Sequence, residues 1–227
     1  MPQDDYRRRV SAEIALFSVP DLATPGLHVL LKENGDQWAL PGGPVKSGEG
    51  LAGAASHRLE EATGIRGVFL HQVAAVGTPA RDPSGDTVAI LHYGLVGSGK
   101  HSAPATPDAR PARWFPVAGQ LPALELDHSV LVELALQSLR QRAGDTPVIF
   151  ELLPEEFTFT ELQSLFEAVV GRELDRRNFR RKVKELELVT KTRGSRRSGA
   201  HRPARLFRFN ARAFAAYAGK SGSLPFR

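Results

Sequence analysis

The chain has 227 residues, enough for one large domain or two small ones, and its 41% apolar and 24% charged composition is that of an ordinary globular protein. It has no cysteine, which excludes disulfides and thiolate metal centres, and no apolar run of the roughly 18 residues that a membrane-spanning helix needs. The net charge of +5 conceals a division: residues 1–145 carry 13 Lys+Arg and 16 Asp+Glu, whereas residues 146–227 carry 17 and 9.

The N-terminal stretch has basic residues but only a short apolar run interrupted by Glu13, so it does not read as a signal peptide, and a cytoplasmic protein is expected. Residues 11–19 and 27–31 predict two strands, with Pro20, Pro25 and Gly26 marking the loop between them. Glu33 to Asp36 predicts a hairpin turn into a strand over Trp38 to Leu40, which Pro41-Gly42-Gly43 breaks. Leu51, Ala54, Ala55, Leu59 and Ala62 recur at helical spacing, and Gly64 suits the C-terminus of that helix. Residues 68–76 and 88–96 predict further strands around a turn-rich loop, residues 97–112 a flexible surface loop, and Trp114 to Val117 a short strand. An amphipathic helix is expected from Asp127 to Arg142. Residues 143–147 then mark the expected domain boundary.

The second segment predicts helix, turn, helix, strand, basic loop, strand. Thr158 and Glu161 fit a capping box ahead of Leu162, Leu165, Phe166 and Val169, and Gly171 ends that helix. Asp175 suits the N-cap of a second helix to about Leu186, with Phe179, Val183 and Leu186 inward. Strands are expected at Leu188 to Thr190 and Leu206 to Phe209, around a loop from Arg193 to Arg202. This is the order of a winged helix-turn-helix.

Residues Gly43 to Ile65 resemble a Nudix box, whose pattern is G-x5-E-x7-R-E-U-x-E-E-x-G-U with U a bulky aliphatic. Gly43, Glu49, Leu59, Glu61, Gly64 and Ile65 fall on pattern positions. The Arg-Glu pair is replaced by His57-Arg58, and the second Glu of the Glu-Glu pair by Ala62. In Nudix hydrolases these helix carboxylates hold divalent cations that neutralise a diphosphate and activate water. Here only Glu61 keeps its carboxylate; Glu60 is one residue off register, about 100° round the helix. No catalytic residue and no metal site are therefore assigned, and Mg²⁺ binding is expected to be weak or absent. Arg58 cannot ligate a metal. It can pair with a ligand's diphosphate, or simply with Glu61 or solvent; both readings stay open. The loop from Arg81 to Asp86 resembles one found in Nudix proteins acting on ADP-ribose, which makes Arg81 a candidate phosphate or ribose contact, with a surface turn as the alternative. Gly43, Arg58, Glu61 and Arg81 are the candidate effector-binding residues.

Residues 176–208 hold 13 basic against 2 acidic residues. On the second helix, Arg177, Arg181 and Lys184 lie opposite the apolar face, with Arg176 and Arg180 on a flank and Asn178 beside them. Such a helix suits the major groove, where arginines contact phosphates or read guanine edges. Arg193, Arg196, Arg197 and Arg202 belong to a basic, acid-free loop suited to phosphates or the minor groove. The alternative is a solvated basic surface. RNA stays open as a partner, but the segment lacks the aromatic platform of single-strand readers, and double-stranded DNA is the expected partner.

Together the segments resemble the NrtR family, the Nudix-related transcriptional regulators of NAD metabolism. Residues 150–183 and Arg202 to Phe209 carry that resemblance most specifically. It implies an α/β fold, a Nudix α/β/α sandwich with a mixed sheet followed by a winged helix-turn-helix. The implied domains are a ligand-sensing domain over 8–143, a DNA-binding domain over 144–215 and a flexible tail over 216–227. It further implies a homodimeric repressor on a palindromic operator of NAD synthesis or salvage genes, with no membrane association and no required cofactor. ADP-ribose, or a related NAD-derived nucleotide, would be the effector that releases it. The helix over 127–142 and the linker over 144–147 are expected to transmit the change. The alternatives are an active ADP-ribose pyrophosphatase relying on Glu49, Glu60 and Glu61, and a related regulator of sugar utilisation.

Overall fold

The computed structural model describes residues 8–22, 26–77, 87–97, 111–143, 146–196 and 203–221. Its first seven strands form one mixed sheet. They are β1 (Arg9–Ser18), β2 (His28–Asn34), β3 (Gln37–Ala39), β4 (Gly42–Pro44), β5 (Leu70–Val76), β6 (Thr87–Val96) and β7 (Ala112–Pro116). The order β3-β2-β1-β6-β5 puts β1 in the middle, with β4 paired to β1 and β7 to β2. β1 is buried continuously from Ser11 to Ser18, as a strand covered on both faces must be. The expected hairpin turn is present: Gly35 takes φ +61° between β2 and β3, whose register pairs Asn34 with Gln37.

β4 was not expected as a strand. Its sequence is Gly-Gly-Pro, which carries no strand propensity, and it is held by antiparallel pairing of Ala12 with Gly43 and Glu13 with Gly42. The pairing explains Gly42: a Cβ there would lie 2.6 Å from the Ala12 carbonyl oxygen. Helix α1 (Leu51–Thr63) follows, packs on β4 and β5, and ends at Gly64, whose φ of +71° lets its N–H bond to Glu60 O. Helix α2 spans His128–Ala143.

The chain forms two compact units. Within the described residues, the first takes in 8–17, 28–77, 87–95 and 111–137. The second takes in 18–22, 26–27, 96–97, 138–143 and the described residues from 146 on. The division thus falls inside α2 rather than at the expected 143/144 boundary. One reason is local: Arg140 Nε donates to Val169 O at 3.1 Å, tying the end of α2 to carbonyls at the end of a later helix. Residues 144–145 of the expected linker lie outside the described residues.

In the second unit a 3-10 turn (Pro147–Leu152) precedes β8 (Phe157–Thr158), α3 (Phe159–Val170), α4 (Arg176–Glu185), β9 (Val189–Arg196) and β10 (Ala204–Phe209). The three strands make an antiparallel sheet in the order β8-β10-β9. The capping box is formed: Thr158 Oγ1 accepts from Glu161 N at 3.2 Å, and Glu161 Oε2 accepts from Thr158 N at 2.7 Å. Asp175 caps α4 by accepting from Asn178 N at 2.7 Å. The core is built from phenylalanines. Phe166 meets Phe179 at 5.3 Å between ring centroids, Phe159 meets Phe207 at 5.6 Å, and Phe150 stacks on Phe209 at 4.1 Å.

Two expectations are corrected. The basic loop expected from Arg193 begins later, because β9 runs to Arg196 and pairs it with Ala204. Residues 216–221, expected as flexible tail, continue helix α5 (Ala211–Ser221), whose first turn is capped by Asn210 accepting from Ala213 N at 3.2 Å.

Candidate functional site

The box residues converge on one ionic cluster. A tight turn fixes Glu49: its N–H donates to Lys46 O at 3.1 Å, and its Oε2 accepts from Lys46 N at 2.9 Å. Arg58 projects from the buried face of α1, where its neighbours are Ala54, Ala55 and Leu59, and is itself only 6% exposed. Its Nη2 lies 3.2 and 3.3 Å from the two oxygens of Glu49, and its Nη1 donates to Glu61 Oε2. His57 meets the same two carboxylates from the exposed side, with Nδ1 3.1 Å from Glu49 and Nε2 3.4 Å from Glu61. Each carboxylate therefore faces two basic side chains. The backbone N–H of Lys46, then the His57 side chain, hold the Glu49 carboxyl down to about 2; burial opposes them, and Arg58 adds further lowering.

Of the candidate effector residues, Gly43, Arg58 and Glu61 are thus brought together. Gly43 lies against the Arg58 stem, where an added Cβ would sit 3.2 Å from Cδ. Arg81 lies outside the described residues. Glu60 points elsewhere and pairs with Arg66 at 2.6 Å. The alternative in which Arg58 pairs with Glu61 describes this arrangement, and Glu49 joins the pair. His57 was not picked out as a site residue, although its spacing to Glu61, one helical turn, carries the signal. A second buried group also escaped the sequence reading: His128 at the start of α2 accepts from Leu40 N at 3.0 Å through Nδ1, and its Nε2 faces Glu13 at 4.0 Å.

The box does not fit the divalent cations of Nudix hydrolysis. Hard cations need several oxygen ligands on one side of the helix. The three helix positions present a guanidinium, the Glu61 carboxylate and the Ala62 methyl, and the guanidinium already spans the gap between Glu49 and Glu61. No group of three or more His, Asp or Glu side chains among the described residues is placed to hold an ion.

The second candidate surface is α4. Phe179 and Val183 are buried, while Arg176, Arg177, Asn178, Arg180, Arg181 and Lys184 are exposed. The arginines and Lys184 line one open concavity with Asp175. Arg181 is braced by Glu185 at 2.8 Å and by Asn178 Oδ1 at 2.7 Å, and Arg180 lies over the Phe159 ring at 4.8 Å. Arg176, Arg177 and Lys184 make no ion pair among the described residues. On the hairpin, Arg193 is exposed, whereas Arg196 donates to Glu161 at 2.6 Å and to Glu156 O at 3.0 Å. Arg196 therefore ties β9 to the start of α3. Arg197 and Arg202 lie outside the described residues.

A Nudix sheet and box helix followed by a three-stranded winged helix with a basic second helix define a Nudix protein fused to a DNA-binding module. Residues 18–134 match the NUDIX domain family, and residues 149–209 match the NrtR DNA-binding winged helix domain. The ADPR responsive transcriptional repressor NtrR of Acinetobacter baylyi is 33% identical over 206 residues, covering 88% of this chain and 81% of that protein. The crystal structure of Shewanella oneidensis NrtR complexed with a 27mer DNA is similar with a TM-score of 0.75 at 26% identity, over 95% of this chain and 97% of that one. The NUDIX domain of the same Shewanella protein, solved with ADP ribose, is similar with a TM-score of 0.52 at 26% identity, over 61% and 93%. The chain belongs to the NrtR family.

Proposed function

We propose that the chain is a DNA-binding transcriptional repressor of NAD synthesis or salvage genes, released from its operator by ADP-ribose or a related NAD-derived nucleotide. The observation that carries this reading is the construction of α4. Its apolar side is sealed by Phe179 and Val183, and its other side offers a set of exposed cations with no structural need for most of them. A helix of this kind enters the major groove with its basic face. Arg176, Arg177, Asn178, Arg180, Arg181 and Lys184 contact the DNA from α4, and Arg193, Arg196, Arg197 and Arg202 do so from the hairpin. Arg196 must exchange Glu161 for a phosphate to take part. Two copies bind as a dimer, matching the two half-sites of a palindrome.

The Nudix domain senses the nucleotide and the winged-helix domain binds DNA, in the cytoplasm. Gly43, Arg58, Glu61 and Arg81 contact the effector. Arg58 keeps Glu49 and turns its second edge from Glu61, which is 46% exposed, to the diphosphate. The nucleotide is held and not cleaved, since a guanidinium and a methyl stand where hydrolysis needs carboxylates. No cofactor takes part, and Mg²⁺ binds weakly or not at all.

The test is a gel shift on DNA upstream of the chain's own operon at a stated salt concentration, with and without ADP-ribose. A shifted band that ADP-ribose removes supports the reading. Absence of binding to any upstream DNA contradicts it. Hydrolysis of ADP-ribose with Mg²⁺ or Mn²⁺ at ordinary enzyme rates contradicts the non-enzymatic part.

A further inference from the structure

Ala62 withholds an oxygen ligand from a divalent cation, but Arg58 places a positive charge where the cation would sit. Arg58 is buried on the inner face of α1, whereas an arginine without a task would run its stem out to water. Its Nη atoms reach Glu61 and both oxygens of Glu49, and its Cδ lies against the strand at Gly43. Its Nε is buried without a hydrogen-bond partner among the described residues. Burying a guanidinium with a donor unsatisfied is unfavourable unless its remaining donors are held strongly. Here two carboxylates hold them.

We propose that Arg58 is a resident cation: its guanidinium fills the gap between Glu49 and Glu61 in place of a divalent ion and makes the box refractory to metal. Glu49 and Glu61 then serve as partners of Arg58 and not as metal ligands. An ion bound between them would need oxygen contacts of about 2.0–2.6 Å, at a position the guanidinium already fills and repels it from. Replacing Arg58 by an oxygen-bearing side chain removes the repulsion and supplies a third oxygen ligand in one step. This deepens the reading of the Nudix domain as a sensor and rests on it only in treating the box as non-hydrolytic. Its test uses no nucleotide and no DNA, so the two can fail separately.

The experiment titrates the full chain with Mn²⁺, reading free ion by electron paramagnetic resonance and thermal melting in EDTA or millimolar Mn²⁺. The wild type is expected to take up no ion at the box and to melt at the same temperature in both. R58E is expected to melt lower in EDTA, because three carboxylates then crowd one site, and to recover with Mn²⁺. It should bind one ion per chain at the box, where the wild type binds none, and lose it when E49Q is added. R58Q, neutral and less disruptive to folding, should show a smaller gain of the same sign. Wild-type protein that binds an ion and melts higher with Mn²⁺ overturns the proposal, and this arm decides even where neither variant folds. Folded R58E and R58Q that both ignore Mn²⁺ overturn it as well.

Discussion

Arg58 and Glu49 show how a box can keep its spacing while its chemistry changes. The sequence makes visible that a guanidinium stands at a carboxylate position. It leaves open whether that group faces ligand, solvent or a neighbour, because a helical position fixes a direction and not a partner. The turn from Lys46 to Glu49 supplies the partner, through backbone bonds that no side-chain pattern announces. The same bonds set a pH dependence. Glu49 is held at about 2 in the fold against 4.5 ordinarily, so its contribution is complete above 4.5 and lost as pH falls toward 2. His92, buried in β6 with Nδ1 3.1 Å from Ile90 O, is depressed below the ordinary 6.5 by burial, against a smaller raising effect of that bond. The unfolded chain then takes up its proton first, so stability falls as pH drops through 6.5. Urea unfolding of the wild type should show both windows. E49Q should flatten the lower one and leave the upper one unchanged. Gly42 gives a mechanical counterpart: G42A forces a methyl toward Ala12 O and the Glu13 carboxylate, and should cost about 1–3 kcal/mol in urea unfolding.

Elements were legible in proportion to how far they carry their own signals. The capping box at Thr158 and Glu161, the N-cap at Asp175 and the inward Phe179 and Val183 were all readable, because caps and helical periodicity are local. β4 and the outer half of β9 were not. Gly-Gly-Pro is a strand only because β1 pairs with it, and Lys191 to Arg196 is too exposed to show an alternating apolar pattern. Helix α5 did carry a signal, an alanine-rich run behind Asn210, which the position near the end of the chain obscured. Thr158→Ala removes one side of the capping box and should lower the stability of the winged helix by about 1 kcal/mol, measured by urea unfolding. On α4, exposed cations that contact phosphates contribute through counterion release. Lys184→Ala should weaken DNA binding similarly across sequences and reduce the salt slope by about one. Arg177→Ala should do the same if Arg177 touches phosphate. If it reads guanine instead, discrimination at one base pair should fall by about 1–3 kcal/mol.

At the scale of the whole chain, two modules of opposite charge are joined: a Nudix unit with a closed ionic box and a winged helix with an exposed basic helix. Neither alone explains why both persist in one chain. A hydrolase needs no winged helix, and a plain DNA-binding protein needs no nucleotide fold. A ligand shifts DNA binding only through its differential affinity for two arrangements of the protein. The central claim is therefore that ADP-ribose binding and operator binding oppose each other and that the nucleotide survives. The direct measurement is fluorescence anisotropy of a labelled operator with the full chain at fixed salt, titrated with ADP-ribose, followed by chromatography of the nucleotide. The account predicts loss of anisotropy with rising ADP-ribose, and ADP-ribose recovered intact. Unchanged anisotropy at saturating nucleotide, or stoichiometric conversion to AMP and ribose phosphate, would contradict it.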